Sequence, residues 1–510
     1  MFNQSRFNSH PKQAIALQPE DLLAVDVFRK PEEALVVSRN ALNFMPQGAI
    51  ARCIYERARA QLCEWEGRHE GTRRLHEVVA TSLAQYEPTP LTPNHAIALP
   101  VSPQEQLAIA RRSSQQVAQR MAAQRERLNF THRATEHSPL RIAYMSKDFC
   151  DHATSHLTRS LYGLHNRHQF EIFVYSYGPD DGSWYRKEIA QAADHFVDVA
   201  SLSPIALAEQ IHADGIDILV DLVGYNGTGR LETMALRPAP IQVFYLGFPA
   251  TTGAEFIDYF ITDPVSTPPE YAPFFSEQLV YMPHTYQIND YRQPICEKPV
   301  SRAAEGLPEE GFIFCCFNAH YKIDPEIFSL WMGLLLEVPN SVLWLAEGRL
   351  ISRQNLRQEA QKRGIEPERL IFGKLLPKAE HLARLRLADL FLDTPICNAH
   401  TTASDALWAG VPLITCPGET FASRVAASLL TAANLPELIV ANLAQYQRLA
   451  LNLACHASEL QQVRDKLAID RKRGPLFDTP RFVGYLEQAY QAMWERHLTG
   501  QKAQPIVIRE

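Results

Sequence analysis

The sequence predicts an α/β protein: two doubly wound, parallel-sheet lobes in series that face one cleft, preceded by a short all-helical region. Three observations carry that prediction. From Leu140 onward, short β-branched or apolar runs alternate with amphipathic helical stretches. The alternation stops at a polar, Pro-containing stretch over 287–310 and restarts at Phe312. Residues 18–85, by contrast, carry helical periodicity and no strand pattern.

Taken in order, Glu32–Val37 and Ala49–Leu62 read as helices separated by Pro46. The small residues and Tyr55 around Pro46 have the flavour of a tetratricopeptide seam. No period of about 34 residues recurs three times, as a stable solenoid needs, so one or two degenerate repeats are expected at most. Four prolines between residues 86 and 100 each remove an amide donor and disfavour helix at the preceding residue, which predicts a linker. Residues 103–128 read as an Arg/Gln/Ala-rich helix whose charge run is a solvated face. The first strand set is Arg141–Met145, Phe170–Tyr175, Ile216–Val223, Ile241–Leu246 and Tyr259–Thr262. The second is Phe312–Phe317, Ser341–Leu345, Leu370–Phe372, Leu390–Asp393 and Pro412–Thr415. Apolar runs separated by helices imply parallel sheets covered on both faces. The expected units are a helical region with its linker over 1–100, a first lobe over 101–295, and a second, nucleotide-binding lobe with a C-terminal helix over 296–510. Such lobes bind ligands at the carboxyl ends of their strands.

Composition narrows the function. The 510 residues, at about 150 per domain, suggest three units. Lys plus Arg number 50 against 57 Asp plus Glu, a net charge of −7, so the basic excess that binds nucleic acid is missing and no nucleic-acid partner is expected. The N-terminus lacks the apolar core of a signal peptide and no stretch approaches about 18 apolar residues, so no membrane span and a cytoplasmic location are expected. Nine cysteines form no C-x-x-C pair, which supports neither a disulfide framework nor a zinc ribbon. Cys315 and Cys316 read as buried core.

The most informative segment is Leu392–Pro412. A strand ends near Asp393, a loop carries His400, Thr401 and Thr402, and a helix follows with Ala406, Leu407 and Trp408 inward. Free amides and Thr hydroxyls at a helix start suit a phosphate, because the helix dipole favours an anion there. Ordinary N-capping by Thr401 or Thr402 is the competing reading; the adjoining His400, Asp405 and the Gly410-Val-Pro turn favour a ligand site. Lys378, His381 and Arg384 share a helical face at i, i+3 and i+6, which is equally a solvated face. His152 and His156 are four apart, but Ala153 follows the first, no Glu completes H-E-x-x-H and no third ligand is apparent, so no metal site is expected.

Several long motifs resemble one family. Phe317–Pro325, Pro339–Leu345, Pro377–His381, the His400 segment and Pro417–Ser428 are similar to the C-terminal catalytic lobe of protein O-linked N-acetylglucosamine transferases, glycosyltransferase family 41. Asp148–Leu157, Ser176–Gly182, Ala235–Gln242 and Tyr281–Thr285 are similar to the N-terminal lobe, so the resemblance runs in order over about residues 85 to 498. It implies the GT-B scaffold of two Rossmann-like lobes and inverting transfer of N-acetylglucosamine from UDP to Ser or Thr of proteins. The partners implied are UDP-GlcNAc or a related nucleotide sugar and a protein or peptide acceptor. No cofactor is implied. The sequence holds no D-x-D pair, and Lys322 with the His400–Thr402 turn supplies the cation and amides that a metal-free scheme needs.

The resemblance also implies roles. Lys322 would face the diphosphate, with Tyr321 framing the pocket. Lys378, His381 and Arg384 would surround the uridine and ribose, with Asp405 on the ribose or the turn. His152 would lie near the acceptor hydroxyl as a candidate base, with Asp148 as its partner in proton removal. Whether the base is the histidine, the aspartate through water or the donor phosphate stays open. Thr154 and His156 would shape or bind the donor, joined by Leu376. His95 would reach the cleft from the helical side, and Arg230 is a further candidate. Cys397 would line the N-acetyl pocket or serve as a buried small hydrophobe. Leu246 and Gly247 would let backbone approach the donor, unless Gly247 is a turn glycine.

Four departures qualify the match. Ala319 stands where the animal enzymes have Gln. Asp151 replaces the family Asn before the active-site histidine and adds a carboxylate near an anionic donor. The connection from His284 to Gly311 is short, without the insert of the animal enzymes. Fewer than about a hundred residues precede the catalytic part, so reduced or partner-assisted acceptor recognition is expected. Two alternatives follow: the same scaffold with glucose, fucose or another acceptor, or a non-catalytic sugar-nucleotide-binding scaffold. Retention of His152, Lys322 and the His-Thr-Thr turn argues against the latter.

Overall fold

The apolar runs beyond Leu140 form two wholly parallel sheets in the computed structural model, which describes residues 30–45, 47–85, 91–132 and 138–510. The expectations that fall on residues 1–29, Pro46 and 86–90 lie outside the described residues. The first sheet contains β1 (Leu140–Ser146), β2 (Phe170–Ser176), β3 (His195–Asp198), β4 (Ile218–Asp221), β5 (Ile241–Phe244), β6 (Tyr259–Thr262), β7 (Gln278–Tyr281) and, from the far end of the chain, β13 (Ile506–Val507). The second contains β8 (Ile313–Cys316), β9 (Val342–Ala346), β10 (Leu370–Gly373), β11 (Leu390–Leu392) and β12 (Leu413–Ile414).

The strand orders are β13-β7-β6-β5-β4-β1-β2-β3 and β10-β9-β8-β11-β12. In each sheet the order reverses beside one strand, β1 in the first and β8 in the second. Crevices open at such reversals, outside the carboxyl ends of the strands, so the loops after Ser146 and Cys316 are where a ligand fits. Helices cover both faces, which is why Ile142, Ala143, Tyr144 and Met145 are all fully buried and β1 reads as a continuous apolar run.

All ten expected strands are present. Three more had no clear signal. Strand β3 is a four-residue, half-exposed edge closed by His195 and Asp198, and β7 spans only Gln278–Tyr281. Strand β13 pairs Ile506 with Val280 of β7. Helix Thr479–Leu498 returns with it: the Tyr490 hydroxyl is 3.1 Å from that of Tyr144, and Glu487 Oε1 accepts from the Asn166 amide at 2.7 Å. The structure therefore differs from a second lobe running to residue 510. From Thr479 the chain covers the first sheet, since an amphipathic helix carries no mark of which sheet it will cover.

The helical region comprises Pro31–Phe44, Ala49–Leu62 and Arg68–Ala84. The described part of the stretch expected as linker, residues 91–100, is instead packed: Leu91, Ala96 and Leu99 fill a core with Cys53, Leu75, Val79 and Ile109. Pro93 opens a short helix, Pro93–Ala96, at a position whose amide would be unpaired anyway, so its missing donor costs nothing. Helix Pro103–Leu128 begins with a capping box in which Ser102 Oγ accepts from the Glu105 amide at 3.2 Å and Glu105 Oε2 accepts from the Ser102 amide at 2.8 Å. It packs on the first lobe, where Ser114 Oγ donates to Gly253 O at 2.6 Å. The lobes are tied by Gln287 Nε2 to Ser404 Oγ at 2.7 Å and by Ser428 Oγ to Asp263 Oδ2 at 2.8 Å. Among the described residues no helix is long and apolar enough to cross a membrane.

Candidate active site

The second-lobe side is built on the turn after β8. Asp324 caps helix Pro325–Glu337, accepting from the Glu326 and Ile327 amides at 2.8 and 3.0 Å, and so fixes where the preceding turn ends. His320 anchors that turn through Nδ1 to Ser352 Oγ at 2.8 Å and Nε2 to Ala346 O at 2.9 Å. Gly348 makes room for the ring: a Cβ there would lie 2.1 Å from His320, and its φ of +55° suits glycine. The Lys322 ammonium then reaches across to donate to Asn398 O at 2.7 Å. Burial opposes the Lys322 charge, but Cys397, Tyr321 and Asp393 around it outweigh burial and hold its pKa above the usual lysine value.

Asn398 belongs to the loop between β11 and helix Thr401–Ala409. Asp393, fully buried, organises that loop by accepting from the Ala399 amide at 2.6 Å, the Thr394 amide at 2.8 Å and Thr415 Oγ1 at 2.7 Å. Burial pushes its carboxyl up to about 6 against these bonds. Asn318 links the two loops: its Nδ2 donates to Thr394 Oγ1 at 2.8 Å and its Oδ1 accepts from Thr402 Oγ1 at 2.6 Å. It was not among the candidate residues, although a polar residue directly after a buried strand was a usable signal. The helical ladder starts with the Ala403 amide on His400 O at 3.0 Å, so the Thr401 and Thr402 amides stand ahead of it at the helix mouth. Self-capping by these threonines is not what the fold uses. His400 occupies the cap position without a side-chain cap bond, and the Thr402 hydroxyl is spent on Asn318. Burial first and Lys322 second push the His400 ring down to about 3, so it is neutral and Nε2 donates to Ala422 O at 3.0 Å.

Lys378, His381 and Arg384 face inward, not toward solvent. Lys378 pairs with Asp405, their side chains 8% and 12% exposed, tying helix Lys378–Leu385 to helix Thr401–Ala409. Arg384 lies 5.1 Å from the Phe317 ring and donates Nε to His381 Nδ1 at 3.2 Å. His381 therefore carries its proton on Nε2, and burial holds it near 4, a neutral donor. Tyr321 and Leu376 are half-buried, while Cys397 is buried and its carbonyl accepts from Thr394 Oγ1 at 2.7 Å.

The first-lobe side follows β1. His152 caps helix Ala153–Thr158, with Nδ1 accepting from the Thr154 amide at 3.2 Å. With Nδ1 accepting, Nε2 is the ring nitrogen left to donate into the site. Asp148 Oδ2 stands 3.8 Å from Nδ1, beyond hydrogen-bond range, and Ser155 Oγ donates to Asp148 O at 2.6 Å. Asp151 Oδ1 is 2.6 Å from His156 Nε2. Burial, and next the Lys378 charge, lower the His156 pKa against the pull of Asp151 and Asp405. The two lobes thus feel each other's charges across the cleft.

Leu246, Gly247 and Arg230 are accounted for by the fold itself. Gly247 is required where β4 and β5 end, because a Cβ would lie 1.9 Å from Leu222 O; Leu246 before it has φ +75°. Arg230 is spent on Leu202 O at 2.5 Å and on the Tyr177 ring at 5.2 Å. His95 belongs to the short helix Pro93–Ala96, where burial and then Arg57 push its ring down to about 3. Among the described residues no three His, Cys, Asp or Glu side chains group as a metal site.

Two parallel, helix-covered lobes whose strand ends meet across a charged cleft define the GT-B class of folds. The chain belongs to glycosyl transferase family 41, whose family model matches residues 62–298 and 298–486. It is 41% identical over 464 residues to the Arabidopsis thaliana protein named probable UDP-N-acetylglucosamine–peptide N-acetylglucosaminyltransferase SEC, covering 88% of this chain and 47% of that one. It is 31% identical over 556 residues to the Caenorhabditis elegans UDP-N-acetylglucosamine–peptide N-acetylglucosaminyltransferase, covering 86% and 48%. The chain thus spans about half the length of these curated relatives. A variant of the Thermobaculum terrenum O-GlcNAc transferase superposes with a TM-score of 0.76 at 26% identity, over 92% of this chain and 89% of that one.

Proposed function

We propose that this chain is an inverting, metal-independent glycosyltransferase that moves N-acetylglucosamine from UDP to Ser or Thr hydroxyls of proteins or peptides. One observation carries the reading: the Lys322 ammonium is held at 2.7 Å on Asn398 O, in the loop that leads into helix Thr401–Ala409, whose first amides stand ahead of the helical ladder. A cation beside a helix start offsets the charge a diphosphate gains as it leaves. Family membership and the names of the relatives support the donor and the acceptor.

In the displacement, the acceptor oxygen bonds to the anomeric carbon from the face opposite UDP. The carbon–oxygen bond to the diphosphate breaks, and UDP departs with the electron pair. Lys322 and the Thr401–Thr402 amides take up its charge, while His381 Nε2–H and the Lys378–Asp405 pair orient the nucleoside. His152 donates Nε2–H into the site, and the hydroxyl proton goes to Asp148 through water or to the donor phosphate. Nine free thiols support a reducing, cytoplasmic setting.

Incubation with several radiolabelled nucleotide sugars and a peptide mixture tests this. Label from UDP-GlcNAc should enter Ser/Thr peptides and should persist with chelator. Label from another nucleotide sugar instead would support the second reading, which rests on Ala319 and Asp151. UDP release without labelled peptide would overturn the acceptor, binding without turnover the catalysis, and a divalent-ion requirement the metal-free scheme.

A further inference from the structure

The helical region does more than precede the lobes. Helix Ala49–Leu62 lies directly on the turn that presents Lys322: Cys63 Sγ is 3.6 Å from His320 O, and Leu62 O accepts from Asn355 Nδ2 at 2.8 Å. Trp65, just beyond, meets the Phe328 ring edge-on at 5.2 Å. Within this contact Arg57 is 2% exposed, and its Cζ lies 4.6 Å from the centroid of the Tyr321 ring.

A guanidinium withdrawn from water to this degree needs compensation from its surroundings, and an aromatic face supplies it most strongly where solvent is excluded. Burial lowers the Arg57 pKa, while Tyr321 and Cys397 oppose burial, which places all three groups in one electrostatic neighbourhood. Tyr321 immediately precedes Lys322. The turn is therefore gripped from both sides: His320 anchors it to the second lobe through Ser352 and Ala346, and Arg57 holds its aromatic ring from the helical region.

We propose that Arg57 is a positioning residue of the donor site, holding the Tyr321 ring so that the Lys322 ammonium is set for a nucleoside diphosphate. The inference rests on the donor reading above and adds to it a contribution from outside the two lobes. A core residue of the helical region thus tunes donor affinity, and a disturbance at Arg57 reaches the diphosphate pocket through the Tyr321 ring.

Calorimetric titration of the full chain with UDP, together with donor KM and kcat, tests this. Arg57→Met keeps length and removes charge. It should raise the UDP dissociation constant and donor KM about tenfold, within the range of a desolvated cation–π contact, and Arg57→Lys should recover part of the loss. In a Tyr321→Leu background Arg57→Met should cost nothing further, because the path through the ring is already cut. Should Arg57→Met fail to fold, the Tyr321 pair carries the test: Tyr321→Phe, which keeps the ring, should retain more UDP affinity than Tyr321→Leu. The inference is overturned alone if the wild type binds UDP and Arg57→Met binds it equally well, if Arg57→Met costs the same factor with and without the ring, or if Phe and Leu at 321 lose affinity equally. A wild type that binds no UDP overturns the donor reading and this inference with it.

Discussion

The two sides of the cleft are furnished differently. On the second-lobe side the polar groups are packed and already bonded to each other: Lys322 to Asn398, Asn318 to Thr394 and Thr402, Lys378 to Asp405, Arg384 to His381. On the first-lobe side the His152 ring is 47% exposed, and its Nδ1 accepts from the Thr154 amide of its own helix. A packed network holds donors where charge will appear, so little reorganisation is needed during reaction. On the function proposed above, donor binding falls to the packed lobe and acceptor access to the open one.

The sharpest way to break this contrast is Lys322→Met, which removes the cation and keeps an apolar stem. It should cut kcat by about 100- to 1,000-fold in a transfer assay while the far-ultraviolet circular dichroism stays unchanged. Retained activity would remove the second-lobe cation from the mechanism. Substitution at His152 separates ring from cap. Asn caps a helix as well as the original side chain does, whereas Ala loses about 1 kcal/mol of stability, so His152→Asn should melt later than His152→Ala. Both should lose at least about tenfold in turnover, because neither replaces the imidazole Nε2–H donated into the site. An active His152→Asn would reduce the histidine to a cap.

Acidification probes the buried titratable groups of all three parts of the chain. His95, His320, His381 and His400 are held near 3, 4, 4 and 3 by burial, well below the ordinary histidine value. Unfolded histidines take up protons below about 6.5 while these rings stay neutral, so stability falls as pH drops from there toward 4. Asp393 and Asp221, raised to about 6, act in the opposite direction over the same window. With four rings against two carboxyls, scanning calorimetry should show the melting temperature falling between pH 6.5 and 4; a flat profile would contradict the burial of the rings. The smallest effect is expected at Asp151→Asn. Removing the carboxylate that favours the charged form should lower the His156 titration midpoint further, as followed by nuclear magnetic resonance; an unchanged midpoint would mean that Asp151 does not hold His156 in solution.

Much of this site was legible in letters because it follows local rules. Strand ends carrying His, Thr, Asn and Lys before helix starts mark ligand loops in any doubly wound sheet, and the His400–Thr402 and Asn318–Lys322 segments obey that rule. What stayed hidden was pairing at a distance. Nothing near Arg384 announces that Phe317 will receive its guanidinium. Nothing near His152 says which ring nitrogen the Thr154 amide will occupy. Residues 91–100 read as linker because proline signals a break locally, yet Pro93 opens a helix beside a core drawn from four separate segments.

The order of apolar runs by itself determined that two parallel sheets would form, since period and length of such runs depend only on neighbours along the chain. Only the tertiary structure decided that the C-terminal helix and β13 return to the first sheet, and that Arg57 of the helical region meets Tyr321 of the second lobe. The physical reason is that these contacts join residues more than two hundred positions apart. Their energy comes from surfaces that match in space, and no local propensity encodes which distant surface that will be.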